Sequence, residues 1–257
     1  MNLLRRRKST ADTRKRSPRV PAGTRVYAIG DVHGEGLLLQ SLLSVIHDDL
    51  RQRPALRVEL VFLGDIIDRG PHSATLARAL YQARGKGLTV LRGNHEDALV
   101  SSYNGDDRAL KFWMNFGGRE TLASFGIDAE DAEPDAIRSR MHAAIEPELV
   151  DWLAQSPTSY SIGDYFFAHA GVRPGVDLDA QDDEDLMWIR EPFLESDADH
   201  GQVIVHGHTI TSDVALNGNR ISLDTGAHEH RKLTALGLEG GDQWVLQVSG
   251  RNLRSAD

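Results

Sequence analysis

Three times within its first hundred residues the chain repeats one pattern: a short apolar run ends at a glycine, and a polar cluster follows at once. RVYAIG closes at Gly30 and delivers Asp31-Val32-His33-Gly34. VELVFLG closes at Gly64 and delivers Asp65-Ile66-Ile67-Asp68-Arg69-Gly70, and GLTVLRG closes at Gly93 and delivers Asn94-His95-Glu96. Between them, EGLLLQSLLSVIHDDL and SATLARALYQA carry apolar residues at helical spacing. The clusters lie 34 residues apart (Asp31 to Asp65) and then 29 (Asp65 to Asn94), the length that a strand, a crossover helix and the next strand require. In such a sheet the carboxyl ends of the strands share one edge, so the three clusters are expected to converge. Polar groups buried without partners are costly, which places these clusters at the mouth of a site rather than in a core.

The rest of the chain changes character. Residues 99 to 158 space Trp113, Phe116, Phe125, Met141 and Trp152 among charged residues in helical patterns, and are read as a helical insertion that covers the site with a core of its own. Beyond it, YFFAHAG, QVIVHGHT, RISLDTGA, KLTALGLEG and QWVLQV follow with few helix signals between them. These predict a second, largely antiparallel sheet packed on the first. The expected organisation is one domain over 24–250 with the insertion at 99–158, a basic disordered tail over 1–23, and a frayed end over 251–257.

Composition narrows the chemistry. The chain has 257 residues and no cysteine, so disulfides and thiolate ligands are excluded and any metal must be held by nitrogen and oxygen. A reducing cytoplasm is compatible with that. No apolar run reaches the length of a membrane span, and the first residues lack the apolar stretch of a secretory signal. The first 22 residues carry eight basic side chains against Asp12 alone, within a net charge of −9, so the body is strongly acidic. Nucleic-acid binding by the body is therefore not expected, whereas the tail is suited to an acidic partner.

The convergent residue types suit metal-assisted phosphoryl chemistry. Asp31 and His33 can turn toward one cation, Asp65 can bridge to a second, and Asn94, His169 in AHAG and His208 in HGHT add further oxygen and nitrogen donors. Such a set suits divalent cations of the manganese, iron or zinc type. Two such ions hold a hydroxide nucleophile and clamp an in-line displacement at phosphorus.

GDVHG at 30–34, GDIIDRG at 64–70, GNHE at 93–96, HAG at 169–171 and GHT at 207–209, in this order, resemble the phosphoprotein phosphatase family of the calcineurin-like metallophosphoesterases. FGGRETLASFG at 116–126 and DLMWIRE at 185–191 are similar to its bacterial serine/threonine phosphatases. The resemblance implies a mixed α/β fold, a four-layer αββα sandwich with a helical insertion. It also implies two divalent ions, the first on Asp31 and His33, the second on Asn94, His169 and His208, with Asp65 bridging. His95 matches the acid that protonates the leaving alkoxide, and Asp68 the carboxylate that orients it. Arg69, Arg92 and Arg190 match phosphate clamps. The implied activity is hydrolysis of phosphoserine or phosphothreonine in a phosphoprotein or phosphopeptide, by direct attack of metal-bound hydroxide. The rival that shares this site is a symmetrical dinucleoside tetraphosphate hydrolase. A catalytically silent scaffold is disfavoured because every motif position is filled.

Overall fold

The computed structural model describes residues 17–85 and 87–250. The repeated pattern folds as β1 (Thr24–Ile29), α1 (Gly36–Gln52), β2 (Arg57–Phe62), α2 (Ser73–Ala83) and β3 (Leu88–Val90), with β1, β2 and β3 parallel neighbours in register Thr24↔Arg57 and Leu60↔Leu88. All six residues of β1 are buried, as befits a central strand covered on both faces. Five helices then run α3 (Asn94–Tyr103), α4 (Asp107–Met114), α5 (Gly118–Ser124), α6 (Pro134–Ala144) and α7 (Pro147–Gln155). The remaining elements are β4 (Ser159–Ile162), β5 (Tyr165–Ala168), a short 3-10 turn (Leu178–Ala180), α8 (Asp183–Trp188), β6 (Val203–His206), β7 (Ala215–Asn217), β8 (Arg220–Ser222), β9 (Lys232–Glu239) and β10 (Asp242–Ser249).

The strands form two five-stranded sheets, ordered β10-β9-β1-β2-β3 and β4-β5-β6-β8-β7. Strand periodicity sorts their side chains into layers. From β1, Val26 and Ala28 enter the core between the sheets, where they meet Tyr165 and Phe167 of β5, while Tyr27 and Ile29 enter the outer core under the helices. From β5, Phe166 and Ala168 turn the other way, onto Leu186, Ile189 and Phe193 in and beyond α8. Helices, sheet, sheet and α8 with its flanking loops are thus the four layers of the expected αββα sandwich.

Two expectations about the second sheet are corrected. KLTALGLE and QWVLQV do not join it: they are β9 and β10, a hairpin over Gly240-Gly241 that adds antiparallel to the free edge of β1, pairing Val26↔Leu238. Both faces of β9 are buried, which its nearly continuous apolar run requires. Nor is the second sheet largely antiparallel. β5, β6 and β8 run parallel, with only β4 and β7 reversed at the edges. Residues 169–202, long enough to serve as a crossover, carry the chain back so that β6 starts at the same end as β5.

The helical segment does not build a separate core either. Trp113, Met141, Leu149 and Leu153 lie in one apolar cluster with Val90 of β3 and Phe62 of β2, and Phe125 and Trp152 pack against it, whereas Phe116 faces solvent. At the amino end, residues before Thr24 already pack against the domain. Val20 is buried between the sheets and its N–H donates to Gly240 (3.0 Å), while the Arg19 N–H donates to the Asp164 carboxylate (2.8 Å). The rest of the expected basic tail, 1–16, and the expected frayed end, 251–257, lie outside the described residues. Among the described residues no helix is long and apolar enough to cross a membrane.

Candidate active site

Strand direction assembles the site. β1 leads into Asp31 and His33, β2 into Asp65, Asp68 and Arg69, and β3 into α3, whose first residues are Asn94 and His95. The parallel strands of the other sheet bring His169 after β5, His208 after β6 and Asp224 after β8 to the same place. The exits are tight. Seven described non-glycine residues have left-handed backbone, and five of them are site residues: His33 (φ 46°), Asp65 (49°), Asp68 (72°), Arg69 (66°) and His208 (62°). Such conformations cost about 1–3 kcal/mol each and persist only where the surroundings over-determine them.

Glu96 supplies much of that determination. Its fully buried carboxylate accepts from the N–H of Asp65 (2.8 Å), Ile66 (2.9 Å) and Gly93 (3.0 Å), tying the exits of β2 and β3 together. Burial, followed by repulsion from Asp65, pushes its carboxyl up to about 7. Its position in the first turn of α3 suits an acid for the helix dipole, and the structure gives it this second, larger task. Glu96→Ala leaves the buried N–H groups of Asp65, Ile66 and Gly93 without partners, and removes the longer contact from Ile67 (3.4 Å), each lost partner worth about 1–3 kcal/mol. Urea unfolding is expected to show a loss of at least about 3 kcal/mol. A loss below about 1 kcal/mol would mean that the loops keep their shape without the brace.

Around this scaffold the donor atoms converge. His33, Asp65 and His95 form one trio and Asp65, His169 and His208 another, the ligand atoms of each lying within 4.8 Å of one another, with Asp65 common to both. Asn94 Oδ1 joins the second, 2.8 Å from His169 Nε2 and 3.1 Å from His208 Nδ1. The outer nitrogens are anchored: His33 Nδ1 donates to the Ile67 carbonyl (3.1 Å) and His169 Nδ1 to that of Leu63 (2.9 Å). This leaves both Nε2 lone pairs facing inward, the arrangement that orients metal-ligating histidines. Burial holds His33 well below the usual imidazole range and His208 at about 3, so both are neutral. Asp31 accepts from the His208 N–H (3.0 Å) through one oxygen, and its other oxygen, Oδ1, is buried without a hydrogen-bond partner. Gly207 lies so close that a Cβ there would overlap that oxygen. Carboxylates, a carboxamide and neutral imidazoles with inward lone pairs and an unsatisfied buried oxygen fit two divalent cations.

His95 is held differently. Its Nδ1 donates to Asp68 at 2.5 Å. Asp68 is fully buried and also accepts from Trp113 Nε1 (2.7 Å) and the Thr121 hydroxyl (2.5 Å). Burial opposes a charge on His95, but Asp65 and then the Asp68 bond outweigh it and lift the imidazole to about 9. A charged imidazole oriented by a carboxylate is equipped to deliver a proton.

The predicted guanidinium groups separate. Arg69 stands beside the first trio, with its two terminal nitrogens 3.0 Å from His33 Nε2 and 3.2 Å from His95 Nε2. Arg190 stands beside the second, its Nε 3.3 Å from His208 Nε2. Arg92 is tied to the end of α7, donating to the Ala154 carbonyl (2.8 Å) with Asp97 and Asp183 each 3.8 Å away. None of these partners belongs to the donor cluster. His206, one residue before Gly207, is buried edge-on to Phe193 with ring centroids 5.0 Å apart.

A model of the calcineurin-like phosphoesterases matches residues 24–233. The chain belongs to that family. It is similar to a bis(5'-nucleosyl)-tetraphosphatase PrpE [asymmetrical] of Bacillus cereus (strain ATCC 10987 / NRS 248), 26% identical over 81% of this chain and 88% of that protein. It is also similar to a symmetrical bis(5'-nucleosyl)-tetraphosphatase of Janthinobacterium sp. (strain Marseille), 32% identical over 58% of this chain and 44% of that protein. A solved structure provisionally assigned as a diadenosine tetraphosphatase shares the fold with a TM-score of 0.62 at 20% identity, covering 93% of this chain and 100% of that one.

In this phosphoesterase, site residues that the sequence did not disclose come from the helical segment. Trp113 and Thr121 look like ordinary core residues, yet both hydrogen-bond Asp68. The one available clue was the pair Gly117-Gly118. A Cβ on Gly118 would strike the Trp113 ring, and Gly117 accepts the Arg69 N–H (3.2 Å) through its carbonyl. Asp224 was likewise not anticipated. It is buried beside Asp31 and Asp65, and burial first, with Asp65 adding to it, raises its carboxyl to about 6.

Proposed function

We propose that this phosphoesterase hydrolyses dinucleoside tetraphosphates, the reading placed second on sequence, ahead of phosphoserine and phosphothreonine. The observation that carries it is the pair of guanidinium groups, Arg69 beside the first donor trio and Arg190 beside the second. Both groups can hold a single phosphate, but a chain of phosphates offers anionic oxygens on both sides of the reacting phosphorus, which suits a guanidinium beside each trio. The tetraphosphatase relatives support the same substrate class. Two divalent ions on Asp31, His33, Asp65, Asn94, His169 and His208, manganese being our first choice, would supply an activated water and neutralise phosphate charge. The chain's own residues do the rest: Arg69 and Arg190 orient the phosphates, and His95, held by Asp68, gives a proton to the departing oxygen.

The His95 and Asp68 pair favours a second reading, hydrolysis of phosphoserine or phosphothreonine, because an alkoxide needs that proton more than a nucleotide phosphate does. The deciding experiment compares diadenosine tetraphosphate with a phosphoserine peptide, using metal-stripped protein refilled with manganese. Higher kcat/KM on the dinucleotide is expected, and its products show whether the bridge is cut symmetrically. Faster turnover of the peptide would restore the order that the sequence suggested.

A further inference from the structure

Three aromatic side chains at the mouth of the site are uncovered. Phe112, Phe116 and Trp188 are 37%, 48% and 36% exposed, and among the described residues they are the only aromatic members of the set of large exposed apolar side chains. They are also contiguous: Phe112 stacks on Phe116 with centroids 4.2 Å apart and planes at 23°, and Trp188 meets Phe112 edge-on at 5.6 Å. Trp188 in turn contacts the His208 ring at 6.4 Å. At the other end Phe116 precedes Gly117, whose carbonyl receives the Arg69 N–H. The aromatic surface therefore runs from the Arg69 side of the donor cluster toward the Arg190 side, along a rim that is otherwise polar. Scattered exposed apolar residues need no explanation, but a contiguous patch at the edge of a site does.

We propose that Phe112, Phe116 and Trp188 form a stacking platform for a nucleobase of the substrate. This rests on the dinucleotide reading above and extends it from the phosphates to the base. The occupant follows from the chemistry on either side of the patch: a ligand that places phosphates between Arg69 and Arg190 and a flat ring against the adjoining aromatics is a nucleotide. Base stacking is tolerant of base identity because every base has a π-face, so the platform selects for nucleosides without distinguishing adenine from guanine strongly. Phe112 comes from α4 and Trp188 from α8, so the platform exists only in the folded protein.

The test compares diadenosine tetraphosphate with inorganic tetraphosphate, which has the same phosphate chain and no base, in manganese-loaded wild type, Phe112→Ala/Trp188→Ala and Trp188→Phe. The ratio of kcat/KM for the dinucleotide to that for the inorganic chain is expected to fall roughly 10-fold in the double variant, mainly through KM. It should stay near the wild-type value in Trp188→Phe, which keeps a ring. A double variant with an unchanged ratio overturns the platform, and urea unfolding of the same samples shows whether it is folded. A larger loss on a phosphotyrosine peptide than on the dinucleotide also overturns it, in favour of an aromatic side chain as the occupant. Wild-type protein that hydrolyses a phosphoserine peptide and neither tetraphosphate overturns the underlying dinucleotide reading, and the platform with it.

Discussion

Asp65→Asn is expected to lower the affinity of both cation positions together and to cut turnover by more than about 100-fold. The scale comes from comparison: losing a hydrogen-bond partner of a metal ligand costs about 10–100-fold in affinity or activity, and Asp65 is a ligand common to both trios. The substitution is close to isosteric, so packing is preserved, but the amide has a single acceptor oxygen. Asp65 Oδ2 lies 3.6 Å from His33 Nε2 and 3.4 Å from His169 Nε2, and its Oδ1 accepts the His95 N–H at 3.2 Å. Burial works against a charge on Asp65, yet the charged imidazole of His95 beside it holds its carboxyl below the usual carboxylate range. Removing that charge takes away the one anion that both positions face. Metal content after dialysis, measured beside activity, checks the expectation. Two retained equivalents would show that Asp65 is not shared.

The second large effect belongs to His95→Asn. Loss of a positioned acid or base costs about 10²–10⁴-fold, and that range is expected on a phosphoserine peptide, where the leaving alkoxide is strongly basic. A much smaller loss is expected on diadenosine tetraphosphate, whose leaving nucleotide phosphate is stable as an anion. Metal content separates this role from another, because His95 Nε2 also lies 3.8 Å from Asp65 Oδ2, within reach of a cation held at His33. Retention of two equivalents is expected, since the Asp68 bond already fixes the ring. Equal losses on both substrates would remove the assignment of leaving-group protonation to His95, and loss of one metal equivalent would make His95 a ligand.

Much of the site could be read directly because it is written in short segments. An apolar run, a glycine exit and a polar cluster follow one another within 13 residues or fewer, and the spacing of the first three units fixes them as parallel neighbours. His169 and His208 lay in equally short motifs at the ends of later strands. What only the fold decides has the opposite character. KLTALGLE and QWVLQV read as strands and are strands, but nothing in a strand's own residues says which free edge it will occupy, and β9 and β10 join the first sheet rather than the second. Arg92 follows β3 as the motif requires, yet its guanidinium is held by Ala154, in a helix 62 residues away. Phe112, Trp113 and Phe116 sit within five residues of one another, and only packing sends Trp113 inward to Asp68 and the other two to the rim.

The sequence alone determined the kind and order of the donor groups and the strand ends that present them, because backbone exits and side-chain chemistry are local properties. The tertiary structure alone decided what holds those groups in place. Glu96 ties the exit of β3 to Asp65, 31 residues earlier, and Trp113 and Thr121 reach Asp68 from 45 and 53 residues away. Contacts of that range leave no periodic trace in the chain. They exist only once the helices have buried their apolar faces against the first sheet and carried these side chains to the site.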